Sequence, residues 1–178
     1  MLQGASLSVT DPAALASRRE RAPVVPLSEL AAANRQRDAL YLLSEQLHRA
    51  ETPTDIFDAA MEAIESALGC DRSSILLFDD AGIMQFVAAR GLSEKYREAV
   101  TGHSPWRVDE VDAMPIAIAD VMSAPLEDSL KAVVLEEGIL ATAFIPLVSD
   151  GALIGKFMAY FREPYTFSKD DLSVSLAI

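Results

Sequence analysis

Cysteine is nearly absent from this chain. Cys70 is the one thiol among 178 residues, which excludes an internal disulfide framework and fits a reducing compartment. Long apolar runs are missing as well. None reaches the roughly 18 residues that a bilayer-spanning helix needs, and the N-terminus lacks the basic flank and apolar segment of an export signal, so the expected location is the cytoplasm. Histidine occurs twice; zinc, which wants three or four close Cys, His or carboxylate ligands, finds no such set here. Basic residues are few beside acidic ones, 15 against 27, for a net charge of −12. The imbalance is uneven: residues 1–50 hold six Arg and five acidic residues, residues 51–178 nine basic and twenty-two acidic ones. Such an acidic body repels phosphate backbones, which argues against nucleic acid as a partner.

What is present is apolar material in strand and helix patterns. The apolar share is 51%, enough for one domain with a proper core. The chain is organised around Ile139–Pro164. Two apolar runs there, Ala141–Val148 and Ala152–Phe161, flank Ser149-Asp150-Gly151. Asp-Gly between two such runs predicts a tight hairpin. Neither run alternates cleanly, so the pair belongs at the centre of a sheet covered on both faces. Gly155 inside the second run predicts a bulge or the close approach of another backbone.

In chain order, residues 1–26 read as a flexible leader. They contain Pro12, Pro23 and Pro26 and the cluster Arg18-Arg19-Glu20-Arg21, read either as a solvated tail or as a contact for an acidic partner. Residues 27–50 turn helical, with Ser28 as the expected cap and Leu30, Ala33, Leu40, Leu43 and Leu47 forming a stripe. That stripe either docks on its own domain or forms half of a dimeric helical bundle. Thr52-Pro53-Thr54-Asp55 has the form of a capping box that opens a helix over Ile56, Phe57, Ala60, Met61, Ile64 and Leu68, closed by Gly69.

Ser73–Phe78 and Met84–Ala89 read as strands joined by Asp79-Asp80-Ala81-Gly82, a hairpin turn lacking the alternating oxygen ligands of a calcium loop. A short helix runs from Ser93 to Val100. An irregular stretch, His103–Met114, precedes a short strand at Pro115–Asp120. A helix starting at Ser123 or near Pro125 continues to about Glu137. Ser168-Lys169-Asp170-Asp171 opens a last helix. No terminator follows it before Ile178, so the expectation is a fragment of a longer protein.

Catalytic signals are weak. Ser104 stands in Gly-His-Ser-Pro-Trp, which lacks the final glycine of a nucleophile elbow, and Pro105 supplies no N–H for an oxyanion. Cys70, beside a helix end, reads as a small buried site; redox chemistry at this thiol is the weaker alternative.

From about Thr52 to Ile178 the sequence resembles a GAF domain. The resemblance is carried by Leu68-Gly69-Cys70-Asp71-Arg72-Ser73-Ser74-Ile75, Ala89-Arg90-Gly91-Leu92, Gly102-His103-Ser104-Pro105-Trp106, Glu137-Gly138-Ile139, Ile145-Pro146-Leu147, Gly151-Ala152-Leu153-Ile154-Gly155 and Phe161-Arg162-Glu163-Pro164. Together these blocks are similar to GAF modules of bacterial sensor histidine kinases and cyclic-dinucleotide enzymes. On this reading residues 51–178 are the domain. The resemblance implies an α+β fold: a central antiparallel sheet of five or six strands, helices packed on one face, and a small-molecule pocket on the other.

It also implies a non-catalytic sensor. It would form a homodimer through the first and last helices, with Leu30, Leu40, Leu43 and Leu47 at the seam, and signal to a C-terminal output domain such as a kinase or cyclase. Alternatively, the module is a ligand-free dimerisation domain. Some members bind haem, for which His103 is a conceivable ligand although a turn histidine is the preferred reading, and others attach bilins through a cysteine located elsewhere than Cys70; neither group is expected here. No cofactor is required. The expected pocket residues, chosen as apolar walls with a few directed polar groups, are Phe86, Trp106, Arg107, Ile118, Asp120, Phe144 or Ile145 (Ile145 being preferred), Met158 and Tyr160.

Overall fold

The computed structural model describes residues 26–178; apart from Pro26, the expected leader lies outside them. The first element, α1 (Leu27–Arg49), begins before the expected cap. Pro26 accepts from the N–H of Leu30 at 3.1 Å, so Ser28 falls inside the first turn. Proline supplies a helix-compatible φ without the hydroxyl cap that Ser28 was expected to provide.

Helix α2 (Pro53–Leu68) forms as its start signals dictate. Thr52 Oγ1 accepts from the N–H of Asp55 at 3.2 Å while the Asp55 carboxylate accepts from the N–H of Thr52 at 2.8 Å. Gly69 ends the helix at φ 68°, the left-handed conformation a side chain would resist. Its buried stripe is Ala59, Met61, Ala63, Ile64, Ala67 and Leu68, whereas Ile56 is exposed.

The sheet is five-stranded and antiparallel throughout, with β1 (Arg72–Phe78), β2 (Met84–Arg90), β3 (Ile116–Ile118), β4 (Ala141–Ser149) and β5 (Ala152–Phe161) in the order β2-β1-β5-β4-β3. The central hairpin closes through Asp150 and Gly151, at φ 51° and 80°. Two positive φ values in succession give the primed turn whose twist matches that of the flanking strands. The strand β5 is consequently the middle of the sheet, covered on both faces.

Period two divides the strand residues between two cores. Ile75, Ala143, Ile145, Phe157, Ala159 and Phe161 pack beneath α1, α2 and the last helix, α5 (Lys169–Ala177). Helix α5 is opened by a second capping box, Ser168 with Asp171. Leu76, Met158 and Tyr160 project from the opposite face and meet two short helices, α3 (Glu94–Val100) and α4 (Asp128–Glu136). The helix expected from Ser123 or Pro125 starts later, at Asp128, with Glu127 in the N-cap position but no side-chain cap bond.

Glu137 ties this second layer together. Its carboxylate accepts from Ser93 N–H at 2.8 Å and Ser93 Oγ at 2.6 Å, and its backbone carbonyl accepts from Arg72 at 2.6 Å. The Arg72 guanidinium and the Glu137 carboxylate, 3.5 Å apart, are both about 10% exposed. The start of α3, the end of α4 and the start of β1 are therefore held at one point.

Candidate functional site

Between the second face of the sheet and the layer of α3 and α4 lies a cavity of about 320 Å³. That volume is at the small end of ligand pockets. Its floor follows from the strand register. Phe86, Leu76 and Lys156 stand side by side across β2, β1 and β5. One step along, Met158, Phe144 and Ile116 do the same across β5, β4 and β3. Tyr96 and Val100 of α3 and Leu130 and Val134 of α4 supply the far wall; His103, Ser104 and Pro105 come from the irregular stretch.

The walls are apolar, with few polar atoms. Thr142 Oγ1 is already engaged, donating to the Ala159 carbonyl at 2.9 Å. Tyr96 stands edge-on to Tyr160, ring centroids 6.0 Å apart, and burial pushes its phenol up to about 12. Lys156 is 3% exposed. Its ammonium donates to the His103 carbonyl at 2.6 Å and lies 5.5 Å from the centre of the Phe144 ring. Burial alone brings its pKa down to about 8, because an ammonium out of water favours its neutral form.

Of the expected pocket residues, Phe86, Ile118 and Met158 line this cavity. Tyr160 is buried in the same core, its hydroxyl 2.9 Å from Ser74 Oγ, without lining the cavity. Trp106 is buried but outside the lining. Arg107 points to solvent and pairs with Asp109 at 3.1 Å. Asp120 accepts from the N–H of Met122 at 2.9 Å, closing a turn. Ile145 is corrected: it faces α2 in the helix-side core, and its neighbour Phe144 lines the cavity. The pleat forces this exchange, since adjacent residues point to opposite faces.

Lys156 was missed. Its signal was a lone charge inside an otherwise apolar strand, Ala152–Phe161. Tyr96, Leu130 and Val134 were missed as well, because nothing local says which element roofs a sheet.

The alternative chemistries meet the following geometry. Cys70 lies in the helix-side core, behind the sheet from the cavity. Desolvation, with a smaller contribution from the nearby Glu65 charge, pushes its thiol up to about 12, which leaves little thiolate at neutral pH. Ser104 Oγ accepts from the N–H of Trp106 at 3.2 Å, a turn contact. His103 is exposed and offers the cavity its backbone carbonyl. Among the described residues no three His, Cys, Asp or Glu side chains cluster as a metal site, and no helix is long and apolar enough to cross a membrane.

Known proteins place this architecture. A domain of a protein assigned as a two-component sensor histidine kinase from Sinorhizobium meliloti 1021 is 46% identical, covers 72% of this chain and 86% of its own, and superposes with a TM-score of 0.67. The GAF domain of a phosphoenolpyruvate-protein phosphotransferase from Coxiella burnetii is 18% identical (82% and 88% covered, TM-score 0.63). The phycocyanobilin-bound GAF domain of a cyanobacterial phytochrome is also 18% identical (78% and 86% covered, TM-score 0.57). These last two share the fold alone. No curated protein matches the sequence. The GAF domain family itself matches over residues 52–176, the span that forms the sheet, its helices and the cavity, and the chain belongs to that family.

Proposed function

We propose that this is a non-catalytic sensory module of a bacterial signalling protein, which binds a small molecule in the cavity and passes its state through α1 and α5 to an output domain such as a histidine kinase. One observation carries the reading. A single sheet has the cavity on one face and the terminal helices on the other, so that Met158 and Phe157, neighbours on β5, face the cavity and the α2 core respectively. A ligand that shifts β5 is felt on both sides of the sheet. It biases the output only through unequal affinity for two arrangements of those helices. The kinship with the Sinorhizobium domain supports the sensory role.

The relay calls for a second copy of the chain. Leu43 packs on Ala59 and Ala63 of α2, and Leu40 leans on the helix-side core. Leu30 and Leu47 stay exposed, beside Leu27, Tyr41 and Leu42. Leu27, Leu30, Tyr41 and Leu42, which share one side of α1, support its pairing in a homodimer. They also favour the second reading, a dimerisation module whose cavity has no ligand.

Native mass spectrometry of freshly purified protein, with thermal shift against a metabolite panel, separates the two. A bound small molecule or a ligand-dependent rise in Tm supports sensing. An unliganded dimer unmoved by every compound supports the alternative. A monomer at high concentration removes the α1 relay.

A further inference from the structure

Resting on the reading of the cavity as a ligand site, we infer that its ligand is a small carboxylic acid with an apolar body, the carboxylate seated on the Lys156 ammonium. Lys156 is the argument. It is 3% exposed, yet none of the ion pairs among the described residues includes it. No Asp or Glu lines the cavity; the ionisable lining groups are Lys156 on β5, Tyr96 on α3 and His103 in the loop. An ammonium has three donors, and the protein provides one oxygen, the His103 carbonyl at 2.6 Å.

A buried cation so poorly matched is costly unless something else completes it. The Phe144 ring face at 5.5 Å offsets part of that cost without supplying an acceptor. An anion would supply both charge and acceptor. The rest of the lining sets the other half of the ligand: Leu76, Phe86, Val121, Leu130, Val134 and Met158 surround space for an apolar body, within about 320 Å³. No Arg lines the cavity, and one lysine balances a monoanion better than a phosphate dianion, which favours bidentate guanidinium partners.

The test is calorimetry on the purified chain with two acid–amide pairs, hydrocinnamate with hydrocinnamamide and hexanoate with hexanamide. Each amide keeps the shape and loses the charge. Near neutral pH the acids should bind about tenfold or more tightly than their amides, the usual worth of a charge-assisted hydrogen bond. Lys156→Met should abolish that preference, weakening the acids far more than the amides.

Acid affinity in the parent protein should also fall as pH rises above about 8, where the free lysine loses its proton, and amide affinity should not. This arm decides the matter if the variant fails to fold. Amides binding as tightly as acids would overturn the carboxylate and leave the cavity a ligand site. Binding by neither member of either pair would overturn both.

Discussion

A Cβ placed on Gly155 would stand 2.1 Å from the carbonyl oxygen of Leu76 and 2.9 Å from the Cα of Leu77. The strands β1 and β5 approach so closely here that no side chain fits between them, and the next residue along β5 is Lys156. Gly155→Ala should therefore part the two strands under the cavity floor. Because the obstacle is backbone, relaxation is poor, and a loss of about 3 kcal/mol is expected. Gly151→Ala is the comparison. Nothing lies within 4 Å of its Cβ, so only the positive φ resists, at about 1 kcal/mol. Urea denaturation of both variants checks the difference; equal losses would mean that the close approach does not matter.

The buried Ser74 and Tyr160 hydroxyls stand 2.9 Å apart, and the Tyr160 phenol also reaches Met158 Sδ at 3.3 Å. Tyr160→Phe leaves Ser74 with an unmatched hydroxyl in a dry core, a loss of about 1–2 kcal/mol. Adding Ser74→Ala should recover part of it. A double-mutant cycle by chemical denaturation measures the coupling, and additive losses would refute it.

Lys156 should make stability depend on pH. Its pKa is lowered from 10.5 to about 8 by burial. Between these values the unfolded chain holds the proton that the folded chain has released, so this group's contribution to stability rises with pH. The gain is on the order of 3 kcal/mol across the window. Cys70, raised from 9.0 to about 12, works in the opposite direction above pH 9, as do the buried tyrosines at higher pH. The informative quantity is thus the parent-minus-variant difference. Lys156→Met should be the more stable protein near neutral pH and should lose most of that advantage by about pH 10. A constant difference across the range would contradict a charged, buried lysine.

Cys70 should be inert in the folded protein. Burial, and a thiol pushed up to about 12, predict native alkylation at least about a hundredfold slower than in denaturant. Timed mass spectrometry after iodoacetamide reads this directly. Rapid labelling of the native protein near neutral pH would reopen redox chemistry at this residue.

Local chemistry in the sequence determined the hairpin at Asp150-Gly151, the capping boxes at Thr52 and Ser168, and the stop at Gly69. Each depends on residues a few positions apart, and the physics that sets it acts over the same span. The apolar runs of strand length were visible too, but not which parity faced which layer. That choice belongs to the partners: α2 claims Ile145 and Phe157, leaving Phe144, Lys156 and Met158 to the cavity. Only the tertiary structure could bring α3, α4 and the His103 carbonyl over that floor, from segments far apart in the chain, 53 residues in the case of His103 and Lys156. A charge in an apolar strand becomes interpretable only when the volume it was buried beside is known.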